Sequence, residues 1–168
     1  NGGSTITSYT VTSSPGGFTA SGGASPITIT GLTNGTAYTF TVTATNALGT
    51  SSASLASNSV TPATVPDAPT NLAAVIGDSS ATLTWTAPAF DGGSAIASYT
   101  VTSSPGGITA SGSSPLVVTG LTNGVTYTFT ATATNAIGTS VASGTSNSVT
   151  PASVPGAPTN LAATIDDS

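Results

Sequence analysis

Across 168 residues this chain has no Lys, Arg or His, and five Asp are its only charged side chains, giving a net charge of −5. Without cationic side chains it cannot displace counterions from phosphates, which excludes nucleic-acid binding and electrostatic attraction to anionic membranes. With no Cys or His, the usual ligands of zinc, haem and iron–sulfur centres are missing and no disulfide staples the fold; no metal and no cofactor are expected.

Taken in order, the first 65 residues state what residues 91–154 state again. Asn1-Gly-Gly-Ser-Thr-Ile-Thr-Ser-Tyr9 returns as Asp91-Gly-Gly-Ser-Ala-Ile-Ala-Ser-Tyr99, and Tyr38-Thr-Phe40-Thr-Val42-Thr-Ala44 returns as Tyr127-Thr-Phe129-Thr-Ala131-Thr-Ala133. The offsets, 90 and 89, are those of a small domain, so the chain reads as a row of similar repeats. Three parts are expected: residues 1–65, a repeat without its first two strands; residues 66–151, a complete repeat; and residues 152–168, a connector with the first strand of a third. Both ends fall inside a repeat, so a longer parent chain is expected.

Within the complete repeat, seven strands are expected, at about Thr70–Val75, Ala81–Thr86, Ile96–Thr102, Gly107–Ala110, Leu116–Thr119, Val125–Asn135 and Ser143–Thr150. The clearest is the run Tyr127–Thr134, in which apolar residues and Thr alternate without a slip, the period of a strand with one buried face. Turn residues separate the runs: Gly77-Asp78, Asp91-Gly92-Gly93, Pro105-Gly106-Gly107, Gly112 and Asn123-Gly124. No helical apolar period of useful length occurs. Short strands punctuated in this way predict an all-β chain of two-sheet sandwiches. The predicted core is Leu72, Leu83, Trp85, Tyr99, Val101, Leu116, Val118, Leu121, Tyr127, Phe129, Ala131, Ala133 and Val149. No apolar run reaches the roughly 20 residues of a membrane span.

The succession Pro69-Thr-Asn-Leu72, Leu83-Thr-Trp85, Ser98-Tyr99-Thr-Val101, Gly120-Leu121-Thr-Asn123-Gly124-Val-Thr-Tyr127 and Asn147-Ser-Val149-Thr-Pro151 resembles the fibronectin type III family. The likeness is closest to the Thr-rich repeats of bacterial surface and secreted proteins and of phage structural proteins. It implies tandem seven-stranded immunoglobulin-like β-sandwiches, with Trp85 as the buried tryptophan of the second strand and Leu121 and Tyr127 as the tyrosine corner. No Arg-Gly-Asp occurs in the loop Asn135–Val141, so integrin-type recognition is not implied.

Between repeats lie Thr61-Pro62-Ala-Thr-Val-Pro66-Asp-Ala-Pro69 and Thr150-Pro151-Ala-Ser-Val-Pro155-Gly-Ala-Pro158. Prolines at this density predict short, semi-rigid connectors.

Chemistry is scarce. Asp78 and Asp91 flank a strand of about seven residues, which sets them roughly 25 Å apart, beyond the reach of a paired-carboxylate mechanism. Asp67 and Asp91 have Gly156 and Asn1 as their copies and read as turn formers. Calcium at Asp67, Asp91 or Asp166-Asp167 would need six to eight oxygens, more than so sparse a set supplies. Serines are abundant, but no imidazole or amine side chain is present to activate one. No catalytic residue is assigned. Asn34-Gly-Thr36 matches a glycan acceptor but its copy Asn123-Gly-Val125 does not, so both read as turns. The outward Thr rows read first as strand formers, and glycans on them are a further expectation. A small remainder is templating of ordered water.

The expected function is non-enzymatic: a structural repeat segment of an extracellular, cell-surface or filament-forming protein, acting as stalk, spacer or fibre subunit. Its expected partners are neighbouring repeats and other copies of the chain, since edge strands without Lys leave lateral pairing open. Two alternatives are carried. One is an adhesion or carbohydrate-binding module, or a spacer of a secreted polysaccharide-degrading enzyme; exposed aromatic rings would favour it, and Phe90 is the one ring expected to lie open. The other is a decoration domain on a phage virion.

Overall fold

The computed structural model describes residues 1–164; the expectations for Asp166 and Asp167 lie outside them. Ten strands run in chain order: β1 (Ile6–Ser14), β2 (Thr19–Gly22), β3 (Thr39–Asn46), β4 (Gly49–Thr50), β5 (Thr70–Gly77), β6 (Ser80–Thr86), β7 (Ser98–Ser104), β8 (Thr109–Ser111), β9 (Leu116–Thr119) and β10 (Thr128–Thr134). No helix occurs among the described residues. The strands form three sheets, ordered β2-β1-β3-β4, β10-β7-β8 and β5-β6-β9.

Local sequence dictates these elements. In β10 burial alternates residue by residue, with Phe129, Ala131 and Ala133 buried and the Thr residues half-exposed. β6 does the same with Ala81, Leu83 and Trp85. Branched Thr suits the pleated backbone and keeps the outer face wet.

Packing divides the chain into two compact units. The first holds Asn1–Ala68 with Pro88–Ser98 and Ala133–Val141; the second holds Pro69–Ala87 and Tyr99–Thr132 and continues from Ala142. The first unit thus carries residues of both sequence repeats.

In the second unit a single core gathers Leu72, Ala74, Ala81, Leu83, Trp85, Val101, Val118, Leu121, Tyr127, Phe129, Ala131 and Val149. Phe129, Leu83, Val101 and Val118 are fully buried, each worth about 1.5–3 kcal/mol of transfer free energy. The Trp85 and Tyr99 rings lie 5.4 Å apart at 55°, a tilted contact favoured by their quadrupoles. Tyr99 and Leu116, expected in this core, are only partly buried against it, and Ala74 and Ala81 join it instead. Both alanines occupy inward positions of β5 and β6. The tyrosine corner is formed: the Thr122 amide donates to Tyr127 Oη at 3.1 Å.

The first unit repeats these features in part. Tyr38 is buried, and its Oη accepts from the Thr33 amide at 3.1 Å. Phe18 sits just before β2 and packs edge-on against Tyr38 at 6.2 Å. β9 owes its ladder to pairing with β6. Residues 27–30, its copy in the first repeat, form no strand.

One expected strand takes another form. Residues 143–150 carry no ladder assignment beyond the bridge Tyr127↔Val149. Instead the amides of Ser140, Ser143, Ser146 and Val149 donate to the carbonyls of Ala133, Ala131, Phe129 and Tyr127 at 2.8–2.9 Å. Three residues here oppose two, so the segment advances only about 2.3 Å per residue where a strand advances about 3.4 Å. Such serial bulging is stabilised by side chains. Ser146, Ser143 and Ser140 Oγ accept from the amides of Phe129, Ala131 and Ala133 at 3.0–3.1 Å. Each hydroxyl stands in for the carbonyl a strand would have offered, and donates in turn to the carbonyl of its following residue. Ser51, Ser54 and Ser57 repeat this with Ala44, Val42 and Phe40, in more exposed surroundings.

Candidate functional site

Two of the carboxylates, Asp78 and Asp91, are engaged at turns. Asp91 Oδ1 accepts from the Gly93 amide at 2.8 Å, and Asp78 Oδ1 accepts from Asn123 Nδ2 at 2.7 Å and from the Ser79 hydroxyl at 3.3 Å. Asp67, Asp78 and Asp91 are all exposed. No group of three metal-ligating side chains comes together among the described residues. The buried serines 140, 143 and 146 donate to carbonyls and accept from amides, which leaves their hydroxyls engaged in structure. Phe90 is 40% exposed, while Trp85, Tyr127 and Phe129 are buried.

The most constrained polar cluster lies in the first unit, where the connector meets the turn before β7 and the loop after β10. Asn135 is 5% exposed. Its Nδ2 donates to the carbonyls of Thr64 and Asp91, both at 2.8 Å, and reaches Ser94 O at 3.4 Å. Its Oδ1 accepts from the amides of Ile137 at 2.8 Å and Gly138 at 3.1 Å. Three carbonyls on one side and two amides on the other fix the amide orientation without ambiguity. The Thr64 amide donates to Gly92 O at 2.8 Å and the Asp67 amide to Phe90 O at 3.0 Å.

Glycine is required at this pole. Gly92 has φ +83°, and a Cβ on it would lie 2.2 Å from Thr64 O; a Cβ on Gly93, at φ +80°, would lie 2.3 Å from Gly35 N. The connector is therefore held by a buried asparagine and by backbone contact, in addition to the prolines that the sequence makes conspicuous.

Sequence reasoning overlooked Asn135. The available signal was the recurrence of Asn-Ala-(Leu/Ile)-Gly-Thr-Ser at 46–51 and 135–140, in which Asn opens a tight turn and keeps an amide to spare. Asn46 repeats the geometry: Nδ2 donates to Asn1 O at 3.0 Å and lies 3.5 Å from Ser4 O, and Oδ1 accepts from Leu48 and Gly49 at 2.9 and 3.2 Å. Beside it is a cavity of about 440 Å³ lined by Asn1, Gly2, Asn46, Leu48 and Gly49 among others.

Paired β-sheets, a buried strand tryptophan and a tyrosine corner define an immunoglobulin-like β-sandwich class of protein. The sequence matches the Fibronectin type III domain over residues 1–60 and 67–149. The chain belongs to that family. It is similar to Chitinase A1 of Niallia circulans, 40% identical over 121 residues, 66% of this chain and 17% of that protein. It is also similar to the Kelch domain-containing protein SSO1033 of Saccharolobus solfataricus, 34% identical over 123 residues, 71% of this chain and 17% of that protein. The chain thus spans about a sixth of the length of either relative. Among solved structures, domains A168–A170 of titin superpose with a TM-score of 0.56 at 24% identity, over 86% of this chain and 54% of that one, a likeness of fold.

Proposed function

We propose that this chain is a non-enzymatic spacer, a run of fibronectin type III repeats that carries other parts of a larger extracellular or cell-surface protein. The supporting observation is the pole around Asn135. A buried side chain there ties the connector, through Thr64 O, to the turn before β7, through Asp91 O, which suits a joint that resists bending. The only ionisable side chains described are turn-bound or exposed carboxylates and the tyrosines, which offers little to general acid–base or nucleophilic chemistry.

Hydrogen exchange tests the reading at the Thr64 amide, which donates to Gly92 O. A spacer with a braced joint protects this amide to an extent comparable with the strand amides around it. Exchange at the rate of an open loop would refute the reading.

The similarity to Chitinase A1 favours a more specific version, in which the spacer belongs to a secreted polysaccharide-degrading enzyme. In that version the repeats do not themselves hold the polysaccharide. Insoluble chitin should leave the isolated chain in the supernatant. Retention that disappears in Phe90→Ala would make it a carbohydrate-binding module instead.

A further inference from the structure

Within the complete repeat, β5 is the outer strand of the sheet β5-β6-β9. The backbone groups that an outer strand turns away from its sheet are a template on which another strand can add. The stretch Leu72-Ala-Ala-Val-Ile76 at the heart of β5 has no charge and no proline, a composition that favours such addition. Val75, on its outward face, is 65% exposed.

A single side chain bonds to the middle of that edge. Asn147 Oδ1 accepts from the Ala74 amide at 2.8 Å, and Asn147 Nδ2 donates to the Ala74 carbonyl at 2.9 Å. Facing residues of an antiparallel ladder exchange two such bonds, and a carboxamide offers the same donor and acceptor. Asn147 therefore engages Ala74 as a residue of an added strand would. Its own carbonyl is held by the Ser146 hydroxyl at 2.8 Å, and the residue is exposed while Ala74 is buried.

Other strand margins of this repeat are treated alike. Trp85 lies on the part of β6 that β9 does not reach, and its amide donates to Ser114 Oγ at 3.1 Å. Near the start of β5 the ladder shifts register between Thr70 and Ala73, with Asn71 at φ +54°, a bulge that blunts that end of the edge. Beyond it, the bond pair to Asn147 is what occupies the backbone of Ala74.

We propose that Asn147 is an edge plug, whose carboxamide keeps β5 from pairing with β5 of a second copy of the chain. The excluded contact is self-complementary. Two β5 strands running antiparallel about Ala74 would exchange, across a two-fold axis, the bonds that Asn147 holds. No charged side chain on β5 opposes that contact, so a neutral amide does here what an edge lysine does elsewhere. The proposal concerns contacts between copies and does not rest on the spacer reading.

Sedimentation velocity over a concentration series compares the parent with Asn147→Ala, the fold of each checked by Trp85 emission. Water reaches the Ala74 groups once the exposed amide is gone, so Asn147→Ala should stay folded. It should dimerise with a dissociation constant about tenfold or more below the parent's, the equivalent of about 1.4 kcal/mol. Adding Val75→Lys sets like charges on the two facing strands and should return the parent's behaviour. Association no stronger than the parent's overturns the proposal, as does association that Val75→Lys leaves unchanged. Should Asn147→Ala not fold, Asn147→Ser replaces it, its hydroxyl being too short to span both Ala74 groups. Loss of the fold in both also overturns the proposal, because the amide would then hold the sandwich together rather than guard its edge.

Discussion

Replacing Ser143 by Ala tests the serine-supported segment that stands where a seventh strand was expected. Ser143 is 8% exposed, and its Oγ accepts from the Ala131 amide at 3.0 Å and donates to Gly144 O at 2.7 Å. Gly144 is exposed, so water replaces the donor that its carbonyl loses. The Ala131 amide has no such recourse, because Ala131 is fully buried. An orphaned buried donor costs about 1–3 kcal/mol, whereas removing an exposed hydroxyl costs within about 0.5 kcal/mol. Ser148 is exposed in the same segment and supplies the control. Urea unfolding followed by the fluorescence of Trp85, the sole tryptophan, reads the core concerned. The expected loss for Ser143→Ala is about 2 kcal/mol, near 10 °C in Tm for a domain of this size, with Ser148→Ala close to the parent. If the two variants unfold alike, the hydroxyls are incidental and the bulged pairing stands without them.

At the pole, Asn135→Ala removes the donors to Thr64 O and Asp91 O; Thr64 amide exchange should quicken by about tenfold or more, the equivalent of about 1.4 kcal/mol. Gly92→Ala should destabilise by about 2 kcal/mol or more, since backbone at Thr64 must move. Gly2→Ala meets nothing and bears only its positive φ, near 1 kcal/mol; thermal melts of the pair compare them, and equal losses would contradict the close approach at Gly92. Tyr127→Phe deletes the acceptor of the Thr122 amide and should cost about 1 kcal/mol in urea unfolding while leaving Trp85 emission unchanged. With no Lys, Arg or His, Tm should stay within about 2 °C from low to moderate NaCl; a steep fall would indicate a charge interaction that the packing account lacks.

The alternation in Tyr127–Thr134, the turn residues and the repeat offset suffice to place the all-β fold, since period-2 burial is a local property of an extended backbone. Ser143–Thr150 misleads for the same reason. The serines that bond to β10, 140, 143 and 146, recur every third residue, a spacing that describes no ordinary strand, and the hydroxyls' partners become visible only once β10 lies alongside. Ala74 and Ala81 went unread because a small apolar residue has no sequence mark distinguishing core from surface.

What the amino-acid order determined alone is the identity of the repeating unit, its large core side chains and its poverty in reactive groups. Tertiary structure decided where the connector is gripped. Asn135 meets Thr64 across 71 residues of chain and Asp91 across 44, and an asparagine shows its use only when folding brings such distant carbonyls to its amide. Hydrophobic patterning reports which face is dry; the pairing of individual polar groups depends on positions that only the folded backbone sets.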